Sequence, residues 1–214
     1  MQRPWSRREF IRAAAAVALG PPALLPGGSV TRIKIKATSA NFEREPLIRP
    51  FGFKGGYMTE SWQTAALIES ESGVREIGVC TQSVLWSDAN VFATHSESGG
   101  NALMFVLTER ALHMATGLSF QTPVDLLEAI QDELYEYGKK ITGRPDLRKT
   151  FVLNALVGFD NAAWLLYARE NRITSFDNLI PSAYKPALSQ HHDTLASIPL
   201  MAYTIPVAEI RQAV

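Results

Sequence analysis

The sequence predicts an α+β protein in which a three-stranded antiparallel meander is followed by a helical bundle and then by one βα unit. Three observations support this order. From Val30 onward, apolar residues alternate with charged ones, as in a strand with one wet face. Helical periodicity takes over between Asn101 and Arg172. Finally, the continuous apolar run from Ser197 to Ile205 has a length suited to a buried parallel strand.

The meander consists of three strand-like runs. The first begins at Val30 and keeps Lys34-Ile35-Lys36 on its alternating edge, so both lysines are expected in solvent. The runs Trp62 to Glu69 and Arg75 to Thr81 flank the short spacer Glu71-Ser72-Gly73, which predicts an antiparallel hairpin. The glutamates around this hairpin are most simply placed on a solvated face.

Two long links separate these elements. The first, Phe42 to Ser61, is rich in aromatic residues and contains Gly55-Gly56, and the second extends from Gln82 to Gly100. Loops of this length in a compact domain are usually functional or disordered, and the aromatic content argues against disorder. We therefore expect both links to be functional loops.

Three long helices are predicted after the links. The first spans Asn101 to Thr116, and the second opens at Thr122 with proline at its first position and ends at Gly138. The third begins at Pro145 and Asp146 and contains the apolar and proline-free stretch Thr150 to Arg172, which predicts a buried helix. Because buried polar groups are normally paired, Asp160 and Asn161 in this helix are expected to bond to neighbouring backbone.

The composition narrows the possible functions. The chain has 21 basic and 21 acidic residues, so it offers no general electrostatic attraction for nucleic acid or an anionic membrane. Its partner is expected to be a small molecule or another protein. The single cysteine, Cys80, excludes an internal disulfide and lies in a strand-like setting that suits a packed small side chain. The four histidines show no metal-binding spacing, so no zinc site is predicted.

Residues 1–29 resemble an export signal. Arg7 and Arg8 precede a phenylalanine and a mildly apolar run from Ala13 to Leu25 that is too short to span a bilayer stably. The paired arginines resemble the twin-arginine translocation signal, which directs folded cargo out of the cytoplasm. We expect the twin-arginine export machinery as a partner and an exported or periplasmic location.

One helical segment resembles a known family. Residues Phe159 to Leu166 are similar to the apolar-Asp-x-Ala-Leu-Trp-Asp-Leu helix of the enolase superfamily, in its mandelate racemase and muconate lactonizing enzyme branch and especially its L-Ala-D/L-Glu epimerase-like members. Asp160 and Trp164 are in register. Ala163 and Leu165 differ from the leucine and aspartate that the family often has there.

The resemblance implies a domain plan and a reaction. Residues 30–190 would be the N-terminal capping domain with its linker, and residues 191–214 would be the start of a truncated (β/α) barrel. The parent enzyme would be a Mg²⁺-dependent racemase or epimerase acting α to the carboxylate of an amino-acid derivative or dipeptide. A sugar-acid dehydratase of the same superfamily and a non-catalytic periplasmic binding module remain alternatives. Because the family places its base and Mg²⁺ ligands on barrel strands, no catalytic or metal residue is assigned to this chain.

The resemblance also implies a position for substrate contacts. In the family, two loops of the cap close over the barrel mouth, and the two long links match them by position. Phe51, Phe53, Lys54 and Trp86 are therefore the predicted substrate-facing residues. Aromatic side chains would exclude water and the lysine would hold a substrate carboxylate. Alternatively, the aromatics only anchor the loops to the core. A homo-oligomer is also a possible state of the protein.

Overall fold

The computed structural model describes residues 31–189, 192–197 and 204–213. The predicted export signal, residues 1–29, lies outside these ranges. So does most of the predicted strand from Ser197 to Ile205, and with it the strand of the expected βα unit.

The described chain forms a four-stranded sheet and a set of helices. Strands are adjacent in the order β3-β2-β1-β4, and each adjacent pair is antiparallel. This confirms the α+β class and the predicted meander, to which the structure adds the two-residue strand β4 beside Ile33 and Lys34. The elements are β1 (Ile33–Phe53), β2 (Gly56–Ser70), β3 (Arg75–Gln82), α1 (Val84–Ser87), α2 (Ala89–Ala115), β4 (Ser119–Phe120), α3 (Pro123–Thr142), α4 (Lys149–Glu170), α5 (Phe176–Leu179), a 3-10 helix (Ser182–Leu188) and α6 (Val207–Ala213).

The long helices cover one face of the sheet and form the core with it. Ile35 and Ile68 of the sheet are fully buried against the helices, as are Leu107 of α2, Leu134 of α3 and Phe159 of α4. Successive side chains of a strand point to opposite faces, so alternation places Ile35 and Ile68 on the inner face of the sheet. The predicted burial of the Thr150 to Arg172 helix is therefore confirmed for the face of α4 that packs on the sheet, whereas Leu153, Val157 and Leu165 on its other side are exposed.

The prediction of a loop from Phe42 to Ser61 is wrong. This segment forms the distal half of the β1–β2 hairpin, with pairing that continues as far as Phe53 opposite Gly56 and one register shift between Pro46 and Phe51. Most of its residues are exposed or half-buried, so the apolar alternation that marks a half-buried strand is missing. The two prolines also obscured it, although proline is tolerated in edge strands and at bulges.

The prediction of a loop from Gln82 to Gly100 is also wrong, because this segment contains α1 and the first part of α2. Ser83 caps α1 by accepting a hydrogen bond from the Trp86 amide, and Asp88 caps α2 by accepting from the amides of Asn90 and Val91. The helical signal is interrupted at Ser96, where the backbone is left-handed with φ of 65° and α2 kinks.

Two predicted helix boundaries need correction. Helix α3 continues past Gly138 to Thr142, and Gly143 ends it with a left-handed φ of 64°. Gly138 lies inside the helix at a closely packed position, where a Cβ would stand 3.0 Å from Leu147 and from Val152. Helix α4 begins at Lys149, a few residues later than the segment after Pro145 suggested.

Helix α4 has a largely apolar composition. Among the described residues it is the helix long and apolar enough to cross a membrane, yet 56% of its most apolar window is buried inside the fold. The core helix of a soluble protein passes the same test of length and composition, and α4 packs against β3 and β2 as such a helix does.

The hairpin glutamates are not all on a solvated face, contrary to the prediction. The side chain of Glu71 is 57% exposed, but those of Glu69 and Glu76 are only 9% and 3% exposed. Glu69 pairs with Lys36 and Arg75, and Glu76 accepts a hydrogen bond from Arg169. Burial of these carboxylates is tolerated because each is paired with a cation.

Candidate functional site

The four predicted substrate-facing residues lie on two segments that meet in the fold. Phe51 and Phe53 are on β1 near its end, Lys54 is in the hairpin turn, and Trp86 is in α1. The Lys54 ammonium donates a hydrogen bond of 2.6 Å to the Trp86 carbonyl oxygen and lies 5.9 Å from the centroid of the Trp86 ring. The Phe51 and Phe53 rings are tilted against each other at 5.5 Å.

The turn that carries Lys54 is tight. Lys54 and Gly55 both have positive φ, 49° and 78°, which is the conformation that a two-residue hairpin turn of type I′ requires. The next residue, Gly56, lies so close to α1 and α2 that a Cβ would be 2.9 Å from the Phe92 ring and 3.0 Å from Leu85. The tip of the hairpin is therefore packed on these helices.

Helix α1 is held in place by polar side chains from α4. The Asn154 carboxamide oxygen accepts from the Ser83 amide and the Ser87 hydroxyl, and its nitrogen donates to the Thr81 carbonyl. The Thr150 hydroxyl donates to the Ser87 carbonyl at 2.7 Å. These bonds satisfy backbone groups on both sides of α1, so the position of Trp86 is fixed from its flanks.

The fully buried side chain of Asp88 makes further hydrogen bonds, which connect α2 with α4. One of its carboxylate oxygens caps α2, and the other accepts a 3.0 Å hydrogen bond from the Arg148 amide at the start of α4. A single carboxylate thus joins the N-termini of two helices, where the helix dipoles favour negative charge.

The kinked part of α2 is bound to the hairpin. The Glu97 carboxylate accepts hydrogen bonds from the amides of Thr59 and Glu60 and from the Thr59 hydroxyl. The Ser98 hydroxyl donates to Glu60, while Arg44 donates to both Glu60 and Ser98. The hairpin is therefore fastened to α2 midway along its length as well as at its tip.

Glu60 is the centre of this polar cluster. Although burial acts to raise its pKa, hydrogen bonds from Arg44, the Trp62 indole and Ser98 hold the pKa of Glu60 below its usual range. The cluster rests on an aromatic group in which Phe42 stacks on Trp62 with ring centroids 4.5 Å apart. Glu60 therefore remains ionised near neutral pH and holds the Arg44 guanidinium against the Trp62 ring, 5.4 Å from its centroid.

The hairpin tip offers hydrogen-bond donors beside an exposed aromatic side chain. Lys54 has three ammonium donors and the Trp86 carbonyl uses one of them, which leaves capacity for a carboxylate. Trp86 is 53% exposed beside it. Within the described ranges there is no group of three or more His, Cys, Asp or Glu side chains that could hold a metal ion. These residues therefore do not fit the Mg²⁺ that the family resemblance implies.

Several positioning residues were not anticipated from the sequence. Asn154, Asp88 and Glu97 all act on backbone groups that are distant in sequence, which no local pattern reveals. The two helix caps could have been predicted from the sequence, because Ser83 and Asp88 both belong to the residue types that favour helix N-termini.

The two polar residues of the family-like helix behave differently from each other. Asn161 donates to the Val79 carbonyl, which confirms the expected bond to neighbouring backbone. Asp160 is half-buried and accepts instead from the side chain of Trp164, one turn further along. Burial raises the pKa of Asp160, and the Trp164 hydrogen bond offsets only part of that effect. Burial also raises the pKa of the Cys80 thiol, as suits a packed side chain.

Comparison with known proteins gives matches only among solved structures. No protein-family profile and no curated protein sequence matches the chain. The structures include L-talarate dehydratase from Polaromonas sp. JS666 complexed with Mg and L-glucarate, with 20% identity, a TM-score of 0.43, and coverage of 65% of this chain and 33% of that one. They also include dipeptide epimerase from Enterococcus faecalis V583 complexed with Mg and L-Leu-L-Tyr, with 17% identity, a TM-score of 0.39, and coverage of 64% and 32%.

A third match is a mandelate racemase/muconate lactonizing enzyme from Polaromonas sp. JS666, with 21% identity, a TM-score of 0.42, and coverage of 65% of this chain and 30% of that one. The chain thus spans about a third of the length of these structures. At such identities and TM-scores the matches assign no role to any residue. The proteins that the chain resembles are enolase-superfamily enzymes of the mandelate racemase and muconate lactonizing type, the same family that the Phe159 to Leu166 helix indicated.

Proposed function

We propose that the chain provides the substrate-enclosing cap of an exported enzyme of the enolase superfamily. In this proposal, the hairpin tip and α1 together hold the carboxylate of a small substrate. The observation that carries the proposal is the Lys54 ammonium, which lies within 2.6 Å of the Trp86 carbonyl and joins the two segments. Each segment supplies exposed groups of the kind that a carboxylate ligand with an apolar neighbour needs.

The division of roles follows from the side chains. Lys54 would donate to the carboxylate oxygens, since its ammonium keeps two donors beyond the one given to Trp86. The indole of Trp86 and the rings of Phe51 and Phe53 would cover the apolar part of the ligand and exclude water. Glu97 and Asn154 would act indirectly, by holding the hairpin and α1 in position.

The reaction proposed for the whole enzyme is racemisation or epimerisation at the carbon α to the carboxylate of an amino-acid derivative or dipeptide. Mg²⁺ would supply stabilisation of charge on that carboxylate when bound. The described residues do not offer its ligands, so the part assigned to this chain is recognition and enclosure of the substrate.

Dehydration of a sugar acid is a second candidate. A sugar acid presents the same carboxylate to Lys54, and its hydroxyl groups would suit a more polar neighbourhood than the aromatic side chains at the tip provide. The aromatic content therefore favours the amino-acid derivative or dipeptide, while the contact through Lys54 is common to both substrates.

The proposal can be tested by titrating the full chain with a dipeptide and with a sugar acid while recording backbone NMR spectra. We expect shift changes confined to residues 51–57 and 84–88, loss of these changes in Lys54→Met, and retention in Lys54→Arg. Lys34→Met is the matched control, because that lysine is also exposed but pairs with Glu71 at the other end of β1. Shift changes elsewhere, or equal binding by Lys54→Met, would contradict the proposal.

The same assignment predicts the outcome of an activity assay. The full chain with Mg²⁺ and dipeptides is expected to show no epimerisation by chiral chromatography, because the described residues contain no acidic cluster to bind the metal. Measurable turnover would show that the chemistry lies within this chain and that its assignment as a cap is wrong.

A further inference from the structure

The outer face of the sheet, opposite the long helices, carries an apolar centre. Inner-face residues such as Gly78 and Cys80 contact α4, so alternation places their neighbours on the outer face. The centre consists of Ala65 and Leu67 on β2 and Ile77 and Val79 on β3, with Leu67 opposite Ile77 and Ala65 opposite Val79. Val79 is 55% exposed and the other three are half-buried.

The two ends of β1 carry opposite charges on this face. Lys34 and Lys36 lie at one end, on either side of the buried Ile35, and both side chains are about half exposed. Glu43 and Glu45 lie at the other end and are exposed. Their neighbours Phe42 and Arg44 point inward, to Phe105 and Ser98, so alternation places the two glutamates on the outer face.

The register makes this arrangement symmetric about the middle of the sheet. Residues that lie opposite one another on adjacent strands form a row across the sheet. The central row contains Ala66, with Ala40 on one side and Gly78 on the other. Three rows to one side is the row of Ala37 and Glu69, and three rows to the other side is that of Glu43 and Gln63. The register shift between Ile35 and Ala37 inserts one extra residue into β1 on the Lys34 side of the centre. Lys34 and Glu45 therefore lie equally far from the central row, although Lys34 is one residue further from Ala40 along the chain.

We propose that this outer face is the interface between two copies of the chain. The two-fold axis that relates them runs parallel to the sheet and perpendicular to the strands, directly above the Ala66 row. Such an axis places each strand over its own copy with the rows reversed. Leu67 then meets Ala65 of the second copy, and Ile77 meets Val79. At the rims, Lys34 meets Glu45 and Lys36 meets Glu43.

Charge complementarity selects a second copy as the occupant. A two-fold interface uses the same patch on both subunits, so a face with an apolar centre and with lysines at one end of β1 and glutamates at the other complements itself when reversed. At the lysine end, Glu69 and Glu71 are paired within the chain with Lys36, Arg75 and Lys34. The lysines can make these contacts without losing their internal ones, because Lys34 gives one donor to Glu71 and Lys36 gives one to Glu69. Two sheets stacked in this way resemble an aligned β-sandwich, whose strands keep within about 30° of each other.

The first test is sedimentation equilibrium of the full chain. We expect a dimer whose dissociation constant rises by about tenfold or more in Val79→Glu, because the substitution introduces a charge at the apolar centre. Val157→Glu is the matched control. Val157 is 39% exposed on the outward side of α4, so this variant should dimerise like the parent chain. A monomeric parent chain, or equal weakening by the control, would overturn the proposal.

The second test reverses the charges. The Lys34→Glu/Lys36→Glu chain and the Glu43→Lys/Glu45→Lys chain should each dimerise weakly, because like charges would meet at both rims. A mixture of the two should form a heterodimer at near-parental affinity, since every rim contact is then between opposite charges. Circular dichroism checks that both variants fold. A mixture no tighter than either variant alone would overturn the proposed axis, even if dimers form through another face.

Discussion

Two glycines set the distance between the sheet and its principal helix. A Cβ on Gly78 would stand 2.0 Å from the carbonyl oxygen of Gly158 and 2.3 Å from the amide nitrogen of Ala162. Both are backbone atoms of α4, which cannot move aside as a flexible side chain can. The sequence shows these glycines without showing that they face each other, because they belong to elements far apart in the chain.

Gly78→Ala is therefore expected to destabilise the fold by about 3 kcal/mol or more, since the helix must shift off the sheet to admit the methyl group. Urea denaturation followed by circular dichroism measures this change. Gly99→Ala is the control, because its Cβ would meet Ser96 at an ordinary 3.4 Å. Gly99 lies in a helix, so that variant should be stabilised by about 1 kcal/mol or less. Equal stability of the two variants would contradict the close approach.

Asp160 provides a prediction about pH. Burial raises its pKa in the folded protein above the ordinary 3.8, so its contribution to stability is present at low pH and is lost as the pH rises through the folded pKa. Asp160→Asn stays neutral throughout. The stability of the variant relative to the parent chain should therefore increase from about pH 4 upward, as measured by thermal unfolding across a pH series. A relative stability that falls over this range would contradict the assigned direction.

Helix α4 organises the fold through the edge strand β3. Its asparagines donate to carbonyl groups of that strand, Asn154 to Thr81 and Asn161 to Val79. An uncovered sheet edge is a template for unwanted pairing, so side chains that occupy edge carbonyls protect the strand. Asn154 also binds the flanks of α1, which links the buried helix to the exposed Trp86.

Asn154→Ala is expected to cost about 2 kcal/mol, because it leaves the Ser83 amide and the Thr81 carbonyl without this partner. Hydrogen exchange should become faster at residues 83–87 and at the hairpin turn, since α1 loses its tie to α4. Asn161→Ala removes one bond at an exposed position and should cost about 1 kcal/mol or less without affecting α1. Unchanged exchange at α1 in the Asn154 variant would contradict the positioning role.

The arginine pair near the N-terminus predicts that the whole protein is exported. Replacing Arg7 and Arg8 with lysine should leave the protein in the cytoplasm, because the twin-arginine route reads the arginine pair. Cell fractionation with an immunoblot measures the distribution, and Arg12→Lys is a control outside the pair. Export unaffected by the double replacement would contradict the predicted signal.

Much of the architecture could be predicted because local patterns reported it directly. The alternation around Ile33 and Ile35, the cap at Thr122 and the proline-free apolar stretch before Arg172 each reflect whether nearby side chains are buried. The long hairpin could not be predicted in this way, because a two-stranded ribbon with wet faces leaves no apolar period. The start of α2 was obscured by its kink at Ser96.

Four properties could be inferred from residue order: the α+β class, the succession of the meander and the helices, the buried face of the Thr150 to Arg172 helix, and the resemblance carried by Asp160 and Trp164. These are properties of residue periods and short motifs, which depend on neighbours within a few positions. Three other features are visible only in the folded chain: Lys54 contacts Trp86, Gly78 lies against Gly158, and Lys34 and Lys36 share a face with Glu43 and Glu45. Such contacts depend on the register of strand pairing and on how the helices pack, which bring together residues that no local pattern connects.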